Sequence, residues 1–278
     1  MFKLNTFLNY YISLILSNTK RSFESLGKQF GKSGDTIKRW LPIRQDSQNI
    51  SIAIAKYLFK AAKVLTLAVD DTLLQKAYSQ FMVGASYFFD SKINRSIMAY
   101  RLVLGAITDG KHIVPIDFGY MFNADTLFPE DEVKTKLDFV KQFYNLAKQI
   151  FPNIKLKLAA KVVWNGLELY LTAERRIDKH GNESIVYLVA TYKVKPIQYV
   201  HDYRKRWTIE KFFRTSKQML GLAECFSRQL VTQKHIASVL LSYGLAQLEM
   251  KQKKLAIPED AIRAIKQQDA PSTVIRFS

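Results

Sequence analysis

The chain has 278 residues, 48% of them hydrophobic, and 42 Lys and Arg against 24 Asp and Glu leave a net charge of +18. That length and apolar content can build a large core, which excludes a disordered chain, and a positive excess spread along the sequence suits a polyanion: nucleic acid ahead of anionic membrane. The single cysteine, Cys225, excludes an intramolecular disulfide framework and agrees with a reducing cytoplasm.

The first apolar stretch, Phe7 to Leu16 (FLNYYISLIL), is too short to span a bilayer and carries Asn9, Tyr10, Tyr11 and Ser13. It also lacks a small-residue cleavage site, so a buried amphipathic helix is expected and not a signal peptide. From Ser22, SFESLGKQFGKSGDTIKRWL holds two short helical patterns around a Gly31-Lys32-Ser33-Gly34 break. This layout suits a helix-turn-helix over about residues 22–41, with Ser33 or Asp35 capping the second helix and Lys38 and Arg39 exposed to DNA. The competing reading is a generic helical hairpin. An apolar helical run through Ile54, Ala55 and Leu58 completes an all-α N-terminal region, residues 1–60.

A second domain, 61–255, opens with KVLTLAVDDT, an apolar strand from Val64 to Val69 that should end at Asp70 and Asp71. A central strand is apolar on both faces, so its register leaves open which of the two acids faces a site. Two further strands should follow in RSIMAYRLVLGAITDGKHIVPIDFGYM, joined as a hairpin at Thr108-Asp109-Gly110-Lys111. A helix is expected within Glu130 to Ile150, stopped by Pro152. Strands should return in NIKLKLAAKVVWNGLELYLTAERR and ESIVYLVATYK, with a turn at Lys179-His180-Gly181-Asn182. One long helix then spans YVHDYRKRWTIEKFFRTSKQMLGL, a last helix covers His235 to Leu255, and 256–278 reads as a tail. This order predicts an α/β fold: an RNase H-like mixed sheet with flanking helices and a β insertion.

On that long helix Tyr203, Arg206, Glu210 and Lys217 would stand at roughly 0°, 300°, 340° and 320°, a stripe about 60° wide. Ile209, Phe212, Phe213 and Leu220 fall on another side, where a core can bury them. A carboxylate is thereby held on a packed element among groups that bind phosphate, an arrangement suited to phosphoryl transfer on nucleic acid. The bland alternative is a solvated Glu among its salt-bridge partners. Trp207, just off the stripe, is placed to stack on an exposed base.

Tyr, two residues, Arg, three residues, Glu, six residues, Lys resembles the signature around the last carboxylate of bacterial insertion-sequence transposases of the DDE class, in the type-four family. The words YRKRWTIEKFFRTSKQMLGL are similar to that family beyond the four defining residues. The resemblance implies Mg²⁺-dependent cleavage of double-stranded DNA at transposon ends, followed by strand transfer. It makes Asp70, in Asp70-Asp71-Thr72, the first metal-binding acid and Glu210 the third, with Tyr203, Arg206 and Lys217 on the DNA. It further implies a homodimer on DNA and a bacterial cytoplasmic, nucleoid-associated location, with no membrane role.

The sequence departs from the family at one place. The second acid should end the strand after the Glu130 to Ile150 helix, yet IKLKLAAKVVWNG contains no Asp or Glu. The simplest account is an internal shortening near 158–164. Lysines cannot replace a carboxylate on Mg²⁺, so the two-metal site would be incomplete, and the alternative to an active transposase is a catalytically impaired, DNA-binding remnant of one. Asp117, after IVPI, precedes the helix and reads as a plain strand-end acid. Four scattered histidines and a lone cysteine make a zinc site unexpected, and no Gly-rich phosphate loop is present. A basic helical regulator with no nuclease ancestry would leave the four-residue signature unexplained.

Overall fold

The computed structural model describes residues 4–76, 84–91, 93–123, 134–160, 170–177, 180–190, 195–225 and 229–268. Four helices come first: α1 (Leu4–Leu16), α2 (Phe23–Phe30), α3 (Gly34–Arg39) and α4 (Arg44–Leu58). The caps explain their limits. The Ser22 hydroxyl accepts from Ser25 N at the start of α2, Gly31 closes it at φ 62°, and the Ser33 hydroxyl accepts from Thr36 N to start α3.

Strands β1 (Val64–Gln75), β2 (Ser86–Asp90), β3 (Arg95–Thr108) and β4 (Ile113–Met121) follow, then helix α5 (Lys136–Ile150) and strand β5 (Lys155–Ala160). β3 runs antiparallel to β1 on one side and to β4 and β2 on the other, while β5 is parallel to β1. The order β4-β3-β1-β5, one parallel pair beside antiparallel ones with helices on both faces, is the RNase H-like mixed sheet expected from the element order. The Asp-Gly hairpin is present: Asp109 Oδ1 accepts from the backbone N–H groups of Lys111 and His112, and Gly110 sits at φ 100°. A separate hairpin, β6 (Tyr170–Ile177) with β7 (Glu183–Ala190), precedes α6 (Pro196–Arg204), α7 (Trp207–Met219), α8 (Gln229–Gln252) and α9 (Pro258–Gln268).

The two faces of the sheet are read from alternation along β1. Leu65, Leu67 and Val69 pack with Phe139, Val140 and Phe143 of α5, whereas Ala68 and Leu74 join the cluster of Ile209, Phe212 and Phe213 of α7 and Ile236, Val239 and Leu240 of α8. Helix α5 lies close because Gly105 and Gly119 leave room: a Cβ there would stand 2.6 Å from the Phe143 ring and 2.2 Å from that of Phe139.

Several expectations are corrected. β1 does not end at Asp70; it continues to Gln75 because Thr72 to Gln75 keep pairing with Leu102 to Ala99 of β3. Strand β2, for which the sequence reading assigned nothing, adds to β3 beyond that point. The expected single signature helix is two helices joined at Lys205 and Arg206, where bonds from Arg206 N to Tyr203 O (2.9 Å) and Ile209 N to Arg206 O (3.0 Å) make a tight 3₁₀ turn. The stretch expected as a tail contains α9, whose Ala261 and Ile262 enter the main core. That core also takes Tyr10, Leu14, Leu26, Ile37 and Trp40, so the N-terminal helices pack with the sheet and not as a body of their own. Residues 161–169, within the region expected to be shortened, lie outside the described residues. Among the described residues no helix is long and apolar enough to cross a membrane.

Candidate functional site

Alternation decides what the sequence left open at the two strand acids. Asp70 shares the parity of Ala68 and Leu74 and so faces α7, and Asp71 shares that of Val69 and faces the α5 side. β3 pairs Leu104 with Asp70. The junction of α6 and α7 reaches Asp70 through Arg206, and α7 packs on β1.

Arg206 joins the two distant parts of the chain. Its Nη1 donates to Asp70 Oδ2 at 3.0 Å across 136 residues of sequence, and its Nη2 pairs with Glu210 Oε1 at 2.6 Å. Nη2 also donates to the Tyr203 hydroxyl at 3.3 Å, and the guanidinium carbon stands 5.2 Å from the Tyr203 ring centroid. Burial works against its charge, but Tyr203, Glu210 and Asp70 outweigh it and hold the guanidinium above its ordinary pKa. Its Nε is buried with no hydrogen-bond partner among the described residues. Lys217 donates to Thr72 Oγ1 at 2.7 Å and to Leu73 O at 3.1 Å, which ties α7 to β1 just past the acids. The structure thus gathers Asp70, Tyr203, Arg206, Glu210 and Lys217 on one face, and the 3₁₀ turn does not disperse them. Trp207 stands beside them, 45% exposed.

Two cations that no motif marks, and a partner for Thr72, complete the site. Lys136 Nζ bridges Asp70 Oδ1 at 3.3 Å and Asp71 Oδ1 at 2.5 Å, Arg101 Nε lies 3.7 Å from Asp71 Oδ2, and Thr72 accepts from Lys217. Only Lys136 carried a local signal: it follows Thr135, which forms a capping box with Asp138 and marks where α5 starts. Lys38 and Arg39 stand apart from this cluster, exposed in the last turn of α3. Asp117 is not part of it either. Its Oδ1 accepts from Arg44 Nη2 at 2.8 Å and Phe118 N at 2.8 Å, its Oδ2 accepts from Gln142 Nε2 at 3.3 Å, and it ties α4 and α5 to β4.

As a cation site, the Asp70 and Glu210 pair has the right hard oxygen donors for one Mg²⁺. It does not supply the carboxylates of a two-ion site, since no group of three His, Cys, Asp or Glu residues suited to a metal occurs among the described residues. The described β5, KLKLAA, brings no carboxylate beside β1.

The family described as transposase DDE domain matches residues 66–245, which contain both acids and all of the signature. No curated protein matches the chain in sequence. The crystal structure of a pre-cleavage Mos1 transpososome aligns with 95% of this chain and 78% of its own at 10% identity, but its TM-score of 0.27 is too low to inform the site.

Proposed function

The chain belongs to the transposase DDE-domain family, and from that premise we propose that it is a bacterial insertion-sequence transposase of the type-four group, acting on double-stranded DNA at transposon ends. The observation that carries this reading is the meeting of Asp70 and Glu210 at one guanidinium, where α7 packs on an RNase H-like sheet. Asp70 and Glu210 are the residues that would hold Mg²⁺, which when bound activates an attacking oxygen and neutralises charge on the phosphate. Tyr203, Arg206 and Lys217 bind the terminal phosphates, and the unpartnered Arg206 Nε supplies a buried donor for a phosphate oxygen. Lys38 and Arg39 bind flanking DNA through the helix-turn-helix. The reaction is hydrolysis at the element's end, then attack of the freed 3′-hydroxyl on target DNA, carried out by a dimer on paired ends in the cytoplasm, at the nucleoid.

A second reading concerns how much chemistry survives. Asp70 already carries Arg206 and Lys136, Glu210 carries Arg206, and β5 adds no carboxylate. These features favour an impaired enzyme that occupies transposon ends and cleaves weakly. Incubation with end-containing duplex, with Mg²⁺ or a chelator, separates the two. The expected outcome is DNA binding with little or no strand cleavage. Robust Mg²⁺-dependent cleavage that disappears in Asp70→Asn and Glu210→Gln would establish the intact enzyme instead. Cleavage abolished by Asp117→Ala but retained in those two variants would overturn the assignment of the acids.

A further inference from the structure

Helices α3 and α8 meet at a groove of about 410 Å³ lined by Asp35, Lys38, Arg39, Leu41, Val231 and Lys234. Three cations face one acid, and none of the four carries a salt bridge among the described residues. The α7 and sheet site is the reverse, with every acid engaged by a cation. Three cations against one acid leave the groove with excess positive charge, which favours an anion. Lys38 and Arg39 occupy the last turn of α3. In a helix-turn-helix the base-reading side chains stand at the start of the second helix, which leaves cations at its far end for the backbone. Leu41 and Val231 add apolar surface to the lining, suited to a sugar and not to a compact free anion.

Resting on the DNA-binding reading above, we infer that Lys234 of α8 acts with Lys38 and Arg39 of α3 to grip one DNA strand by its phosphates in this groove. The grip has a geometric consequence. Ile236, Val239 and Leu240 of α8 share a core with Ile209, Phe212 and Phe213 of α7, so a strand held at Lys234 is set at a fixed offset from Glu210. The N-terminal helices then do more than tether DNA, because their phosphate contacts are registered to the acids through one rigid core.

Fluorescence anisotropy of the full chain with a labelled duplex, titrated at several salt concentrations, tests this. Lys234→Gln is expected to lower the slope of log affinity against log salt by about one, as Lys38→Gln does, and Lys234→Arg to restore it. Thermal unfolding should be unchanged in all three. A wild-type slope in Lys234→Gln alongside a reduced slope in Lys38→Gln overturns the groove while leaving DNA binding standing. A folded wild-type chain that binds anionic vesicles but no duplex overturns both.

Discussion

Two acids sit at comparable places on neighbouring parts of the sheet, each after an apolar run and each paired with an arginine, and their surroundings differ in kind. Around Asp117 the arithmetic is one to one. Arg44 donates to its carboxylate at 2.8 Å and stacks 4.1 Å from the Phe118 ring centroid, Gln142 takes the other oxygen, and the acid is buried. Around Asp70, Asp71 and Glu210, by contrast, Arg206 and Lys136 are each shared between two acids, Arg101 adds to Asp71, Lys217 stands alongside, and Glu210 keeps 34% side-chain exposure. A closed pair serves the fold. An open cluster with cations in excess keeps groups available to a phosphate, at little benefit to stability.

That contrast can be broken most forcefully at the closed polar contacts. His235 is wholly buried; its Nε2–H donates to Gly221 O at 2.8 Å, so its Nδ1 accepts from the Tyr10 hydroxyl at 2.7 Å. Burial first, and Lys76 nearby, lower its pKa from 6.5 to about 4 against the hydrogen bond to Gly221. The unfolded chain therefore binds the proton more readily, and stability present above pH 6.5 is lost as pH falls toward 4, by roughly 3 kcal/mol. Urea unfolding at pH 7 and pH 4 checks this: His235→Gln should show a pH dependence smaller by that amount, and an identical dependence would remove His235 from the account.

Next in size is Arg44→Ala, which strands the Asp117 carboxylate. A third of Arg44 is exposed, so the expected cost is about 2–3 kcal/mol, below that of a fully buried pair. DNA affinity should not move; a loss of affinity at unchanged stability would make Asp117 part of the functional cluster and erase the contrast. Arg206→Gln is expected to cost about 2 kcal/mol, because the guanidinium is 9% and Asp70 16% exposed while Glu210 reaches water and the amide keeps a donor. Its distinguishing effect is on DNA, with a salt slope lower by about one. A large drop in urea midpoint with unaltered DNA binding would place Arg206 among the structural arginines.

Much of the site was legible in the sequence because its pieces are local. The spacing of Tyr203, Arg206, Glu210 and Lys217 lies within one helical region, and the two acids of β1 follow an unmistakable apolar run. The 3₁₀ turn at Lys205 and Arg206 was not legible, since no Gly or Pro marks it, and neither was the continuation of β1 to Gln75, which depends on β3 supplying partners. Lys136 and Arg101 were hidden for the same reason: each is an ordinary cation until the sheet and α5 bring it to Asp71.

The sequence by itself determined the class of fold, the Asp-Gly hairpin, Ser33 as one of two candidate caps of α3 and the candidate acids, all consequences of periodicity, turn chemistry and charge within short stretches. Only the tertiary structure decided that Asp70 and not Asp71 shares a face with Glu210, that the first four helices belong to the same core as the sheet, and that Lys234 stands beside Lys38 and Arg39. Those outcomes depend on which elements bury one another, and a strand apolar on both faces carries no local record of which neighbour will cover each side.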